Sequence, residues 1–109
     1  MSSQLRNQLQ DALEALAMPS SAQLEHVQAL GVGIDELALE FDDVARTREK
    51  LALDGELSDE QALAVTRVEA QLQRITAAGA RRWTDEAVSV GEDWSELRRL
   101  AQAALDSMT

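Results

Sequence analysis

Residues 34–75 read IDELALEFDDVARTREKLALDGELSDEQALAVTRVEAQLQRI, and the pattern of this stretch predicts that the rest of the chain packs around it. Apolar residues recur at spacings of about three and four on both sides of Asp54-Gly55, which is the period of a buried helical face. The near side carries Ile34, Leu37, Phe41, Val44 and Leu51, and the far side carries Val65, Val68, Leu72 and Ile75. The pattern predicts two amphipathic helices, and a short connection makes such helices antiparallel neighbours.

The connection contains residues that end the first helix and residues that begin the second. Gly55 adopts without steric penalty the left-handed conformation that ends many helices. Ser58 and Gln61 have the spacing of a capping box, in which the serine hydroxyl accepts from the Gln61 amide and the Gln61 side chain accepts from the Ser58 amide. The sequence therefore predicts a tight turn at residues 54 to 58.

The flanking segments also predict helices. Ser2 or Ser3 caps a first helix over about residues 3–18, which Pro19 ends. Ser20 and Gln23 form a second capping pair, which opens a helix running through Leu30. A last helix covers about residues 84–107, with Gly91 as a candidate bend.

The segment Leu30-Gly31-Val32-Gly33 favours a break between helices. A helix through both glycines would lose about 2 kcal/mol relative to alanines, whereas Gly31 as a left-handed stop and Asp35 as the next cap would satisfy the backbone. The alternative is a continuous helix, because the apolar spacing runs through positions 27, 30, 34, 37 and 41 without interruption.

The amino-acid composition agrees with one small all-α domain over residues 1–109. Apolar residues make up 45% of the chain but aromatic residues only 3%, so Leu, Val, Ile and Ala must fill the core. Ala and Leu are strong helix formers, and no strand-like alternation is sustained. We expect a small helical bundle of four to five helices built on the antiparallel helical hairpin.

The charge balance restricts the classes of partner. Twenty acidic residues against ten Lys and Arg give a net charge of −10, which repels nucleic-acid phosphates and anionic lipid surfaces. The chain has no cysteine, its first residues lack the pattern of a signal peptide, and no apolar run approaches membrane-spanning length. We therefore expect a soluble, cytoplasmic protein that binds neither nucleic acid nor membrane.

Acidic residues concentrate on the first helix of the hairpin. Residues 35–60 hold ten carboxylates against Arg46, Arg48 and Lys50. The partner-binding candidates are Asp35, Glu36, Glu40, Asp42 and Asp43. They predict an electrostatic docking surface for a basic protein partner, which the chain would inhibit, neutralise or escort. The alternative is an ordinary solvated helix face that Arg46 partly neutralises.

A second hypothesis is a structural protein that associates with itself as a homodimer or larger assembly. The candidate residues are Ala38, Ala45 and Ala52, which line one edge of the hairpin, together with Trp83 and Trp94 on the apolar repeat of the last helix. Small residues suit the close approach of another helix, and tryptophans favour packing or interfaces. Arg67, Arg74 and Arg81, spaced by seven, are candidates to dock on the acidic stripe of a second copy.

No residue pattern predicts catalysis, a cofactor or a metal. His26 is the only histidine, and a ferritin-type site needs a Glu-x-x-His motif on each of two helices. No phosphate loop, nucleophile elbow or calcium loop is present. We therefore expect that the protein is not an enzyme, and that His26 is an ordinary surface or interface residue.

Overall fold

A computed structural model describes residues 4–108, and every regular element in that range is helical. The elements are α1 (Gln4–Ala17), α2 (Ser20–Leu30), α3 (Asp35–Ala45), α4 (Arg48–Leu53), α5 (Asp59–Ala77), a 3-10 turn (Ala80–Arg82), α6 (Asp85–Val90) and α7 (Glu92–Met108). The predicted all-α class is confirmed. The predicted caps Ser2 and Ser3 lie outside the described residues.

The structure has seven α-helices in the described range, where the sequence predicted four to five. One additional break separates α3 from α4. There the Thr47 hydroxyl donates to the Val44 carbonyl oxygen over 2.6 Å, and the Thr47 amide bonds the same oxygen over 3.0 Å. A threonine hydroxyl that occupies a backbone acceptor competes with the helical ladder, and the chain turns at this point.

The other additional break divides the predicted last helix into α6 and α7 at Gly91. Gly91 has an extended backbone, with ψ of 135°, and its amide donates to the Ala87 carbonyl over 2.8 Å. A Cβ at this position would lie 2.4 Å from that carbonyl oxygen. The backbone at Gly91 therefore lies too close to the Ala87 carbonyl to leave room for a side chain, which accounts for glycine at this break.

Two local predictions are confirmed. Gly31 has a φ of 68° and ends α2, and the cap amides donate to the Gln28 and Val27 carbonyls. At the start of α5, the Ser58 hydroxyl accepts from the Gln61 amide over 3.1 Å, and Gln61 Oε1 accepts from the Ser58 amide over 2.8 Å. The loop before this capping box contains Gly55 at a φ of 77°.

Two predicted caps are wrong. Asp35 is the first residue of α3 rather than its cap, because Ile34 already has helical dihedrals. Ser20 and Gln23 do not form a capping box, since α2 begins after Pro19 without a side-chain cap. Gln23 is instead fully buried and donates to the carbonyls of Ala15 and Leu16 at the end of α1, over 3.2 and 2.9 Å.

Gln23 also belongs to a buried polar network that joins four helices. Arg98 of α7 donates from Nη1 to Gln23 Oε1 and to the Val88 carbonyl of α6, each over 3.0 Å. Burial lowers the pKa of the Arg98 guanidinium. The network fixes the turn between α1 and α2 against α6 and α7.

The core is organised around α7 rather than around the predicted hairpin. The most extensive packing joins α5 to α7 and α1 to α7, followed by α1 to α3, whereas α3 and α5 contact each other only slightly. Trp94 and Leu97 of α7 are fully buried, as are Leu9 and Leu13 of α1. Helix α3 therefore packs chiefly on α1, which leaves its opposite side exposed.

Arg6 connects three distant parts of the chain. Its Nε donates to the Glu56 carbonyl over 3.2 Å, and its Nη2 donates to the Met108 carbonyl over 2.9 Å. Gln61 Nε2 also donates to the Ser107 carbonyl over 2.8 Å. The start of α1, the loop between α4 and α5, and the end of α7 therefore lie together at one end of the molecule.

Candidate functional site

The five partner-binding candidates lie on α3, and three of them lie on its two flanks. The core side of α3 is formed by Leu37, Ala38, Phe41 and Ala45. Glu40 and Asp43 lie on the flank next to α1 and α2, whereas Asp42 lies on the flank next to α5. Asp35, Asp42 and Asp43 are exposed, and Glu36 and Glu40 are half-buried.

An exposed leucine lies between these two flanks. Leu39 is 49% exposed and is one of six exposed large apolar residues in the described part of the chain; the others are Leu30, Val32, Leu53, Leu63 and Val90. Residues three and four positions apart are neighbours on a helix surface. At those four positions around Leu39 the chain carries Asp35, Glu36, Asp42 and Asp43. The outer surface of α3 is therefore an apolar centre surrounded by carboxylates.

Few basic side chains neutralise this surface. Within residues 4–108 the ion pairs are Arg48 with Glu69, Arg82 with Asp93, Arg99 with Glu96 and, only where His26 is protonated, His26 with Glu40. Glu40 is the one candidate among these pairs, with Oε2 at 3.9 Å from His26 Nε2. The carboxylates of Asp35, Glu36, Asp42 and Asp43 form no ion pair with any described residue.

A cavity of about 420 Å³ opens on the α1 side of α3, and we call it the α1–α3 cavity. Its lining combines three carboxylates, three small apolar side chains and two further polar residues: Gln8, Asp11, Ala12, Ala15, His26, Glu40, Asp43 and Val44. His26 Nε2 is buried and has no hydrogen-bond partner. Helices α1, α2 and α3 thus bring Asp11 and His26 beside two of the predicted acidic residues.

A groove of about 530 Å³ lies on the other side of α3, and we call it the α3–α5 groove. It is lined by Ala38, Asp42, Arg46, Arg48, Glu69, Leu72, Gln73, Thr76 and Ala77. Arg48 forms an ion pair with Glu69, and the same guanidinium donates to the Ala45 carbonyl over 3.2 Å. The groove therefore combines apolar side chains with one ion pair, and its other two charged residues, Asp42 and Arg46, form no ion pair within the described residues.

Two carboxyl groups of the α3–α5 groove hold their protons more tightly than usual. Burial raises the pKa of Asp42, and the nearby Asp43 raises it further, although Arg46 opposes both effects. Burial also raises the pKa of Glu69, with Arg48 opposing and Asp42 adding to the rise. Loss of hydration disfavours the charged form of a carboxyl, which explains the direction of both shifts.

The self-association candidates are largely enclosed within one chain. Ala38 and Ala45 are buried, Ala52 is half-buried, and Trp94 has no exposed surface. Trp94 Nε1 donates to the Arg82 carbonyl over 2.7 Å, and its ring meets the half-buried Trp83 edge-on at 5.5 Å. These residues have intramolecular packing roles, and their part in self-association stays a prediction.

No group of three or more His, Asp or Glu side chains within the described range is placed to hold a metal ion. Helices of sufficient length and apolarity to cross a membrane are likewise not found between residues 4 and 108.

Comparison with protein-family models, with curated proteins and with solved structures gives no match.

Proposed function

We propose that this chain is a protein interaction module that binds a basic protein partner through the outer surface of α3, and that it inhibits, neutralises or escorts that partner. One observation carries the proposal: four of the five carboxylates on α3 have no ion-pair partner among residues 4–108. Unpaired charge of one sign speeds the encounter with an oppositely charged protein and selects against wrong partners.

Leu39 supports binding rather than simple solvation of this surface. A carboxylate cluster alone attracts any cation, and exposed ion pairs contribute little free energy. An apolar side chain at the centre of a charged rim adds a contact that excludes water when a partner docks. The surface therefore fits a partner whose basic residues surround an apolar side chain.

Comparative affinity capture tests the proposal. The chain and its triple variant Glu36→Lys, Glu40→Lys, Asp43→Lys are each used as bait in lysate of the native cell, and captured proteins are quantified by mass spectrometry. We expect the variant to lose basic proteins that the unmodified chain retains. Far-UV circular dichroism checks that helicity is preserved.

A matched control distinguishes the effect of changing the α3 surface from the effect of changing the net charge. Glu14→Lys, Glu49→Lys and Glu86→Lys change the charge by the same amount at three exposed positions on α1, α4 and α6. This control should still capture the partner. Equal capture by all three proteins, or equal loss in both variants, would contradict the proposal.

A second candidate function is self-association, and the exposed surface of α5 and of the 3-10 turn that follows it favours this function. Arg67, Arg74 and Arg81 are exposed, and none of the three forms an ion pair within the described part of the chain. These arginines complement the acidic surface of α3 on a second copy. Light scattering over a dilution series tests this candidate, and a monomer at every concentration would exclude it.

A further inference from the structure

The lining of the α1–α3 cavity suits the binding of one long basic side chain. Its apolar wall consists of Ala12, Ala15 and Val44, which suits an aliphatic stem. Its carboxylates come from two helices, Asp11 from α1 and Glu40 and Asp43 from α3. Basic side chains commonly bury their methylene stems on apolar surface while the head group meets opposite charge or water.

His26 gives the cavity an unused acceptor. The His26 side chain is 36% exposed, but its Nε2 atom is buried, has no hydrogen-bond partner among the described residues, and lies 3.9 Å from Glu40 Oε2, beyond hydrogen-bond distance. A buried polar atom without a partner costs free energy, so a donor that enters the cavity recovers that cost. A neutral imidazole with its proton on Nδ1 accepts a hydrogen bond at Nε2.

We infer that the α1–α3 cavity binds an arginine side chain of the basic partner, with the guanidinium between Asp11, Glu40, Asp43 and His26. This inference rests on the proposed function. A guanidinium has five N–H donors in a fixed plane and can bond several carboxylates and an imidazole at once, whereas an ammonium is a compact point charge with three donors. The cavity volume of about 420 Å³ lies within the range of small-ligand pockets.

The experiment uses the full chain and a defined probe. N-acetyl-arginine N-methylamide is titrated into the ¹⁵N-labelled protein, and the His26 Nε2 resonance is followed by NMR. We expect a saturable shift of that resonance, because the probe donates to Nε2. N-acetyl-norleucine N-methylamide, which lacks the charge, and N-acetyl-lysine N-methylamide, which lacks the guanidinium plane, should bind at least about fivefold more weakly.

Paired variants test the location. Glu40→Gln removes a carboxylate that lines the cavity, and Glu14→Gln removes an exposed carboxylate on α1 that does not line it. We expect Glu40→Gln to weaken binding of the arginine probe at least about fivefold, since a charge-assisted hydrogen bond is lost. Glu14→Gln should change it less than about twofold. Amide spectra of both variants check that the fold is retained.

A hexa-arginine peptide, measured by calorimetry, distinguishes failure of this inference from failure of the proposed function. If the peptide binds but the His26 resonance does not move and both glutamine variants weaken binding equally, the cavity is not the arginine site, while the acidic surface still binds cations. Equal binding of the lysine and arginine probes overturns the assignment to arginine. If the peptide does not bind at all, the inference and the proposed function both fail.

Discussion

At the scale of single residues, Asp42 and Glu69 make the stability of the protein depend on pH. Burial raises the pKa of both carboxyls above their ordinary values of 3.8 and 4.5. The folded chain therefore holds these protons more tightly than the unfolded chain does. The stabilisation from the two groups is complete below those ordinary values and is lost as the pH rises through the raised pKa of each group.

Asp42→Asn should remove part of this pH dependence. We expect the variant to gain no more than about 0.5 kcal/mol in free energy of unfolding at neutral pH, because Asp42 is largely exposed and solvent screens its charge. The gain should shrink as the pH falls towards 3.8. Urea unfolding at a series of pH values measures it, and Glu14→Gln on α1 corrects for the loss of one negative charge. An NMR titration that places the pKa of Asp42 at or below 3.8 would contradict the prediction.

The sequence reveals some residues of the candidate site and conceals others. The carboxylates of α3 are neighbours along one helix, so their spacing alone predicts that they share a surface. Asp11 and His26 meet Glu40 only because α1 and α2 pack beside α3. Such proximity depends on tertiary packing, and no spacing within a single helix indicates it.

At the scale of the elements, helix ends were predictable where a local hydrogen bond or backbone angle sets them. Gly31 and the capping box of α5 are of this kind. The break at Thr47 could not be predicted from the sequence, because Val44 and Leu51 on its two sides continue the helical repeat of apolar residues. The spacing of apolar residues indicates which face of a helix is buried, but it is the same whether or not the helical backbone is continuous.

Gly31→Ala should test how far the left-handed end of α2 depends on glycine. A Cβ at this position would meet no atom within 4 Å, so any loss of stability arises from the φ of 68° alone. We expect a loss of about 1 kcal/mol in the free energy of unfolding, measured with urea. Asparagine tolerates this conformation better, and Gly31→Asn should therefore lose less. An alanine variant as stable as the unmodified chain would show that the backbone can rearrange there at no cost.

At the scale of the whole molecule, the sequence predicted the helical class correctly but predicted the wrong centre. The capping box at Ser58 and Gln61 is a strong local pattern, and it predicts a central helical hairpin. Helix α7 has that position instead, since it packs on both α1 and α5. An amphipathic face shows that a helix needs a partner, but its periodicity is the same whichever helix that partner is.

Arg6→Ala should loosen the end of the molecule where α1, α7 and the α4–α5 loop meet. The variant loses two hydrogen bonds to backbone carbonyls, and we expect it to lose about 1 to 2 kcal/mol in free energy of unfolding. Hydrogen exchange followed by mass spectrometry should show faster exchange in residues 54–58 and 104–108. Arg67→Ala, which removes an exposed arginine without such bonds, should change stability by less than about 0.5 kcal/mol. Equal exchange in both variants would argue against a joining role for Arg6.

The packing of α1 on α7 also bears on how the protein matures during synthesis. The ribosome makes α1 before any other described helix, yet its most extensive contacts are with α7, which is made last. Contacts between residues so far apart in sequence form late, after much chain entropy has been lost. During synthesis the part of α1 that packs on α7 therefore stays unburied until α7 has been made, and a ribosome-associated chaperone would meet that apolar surface first.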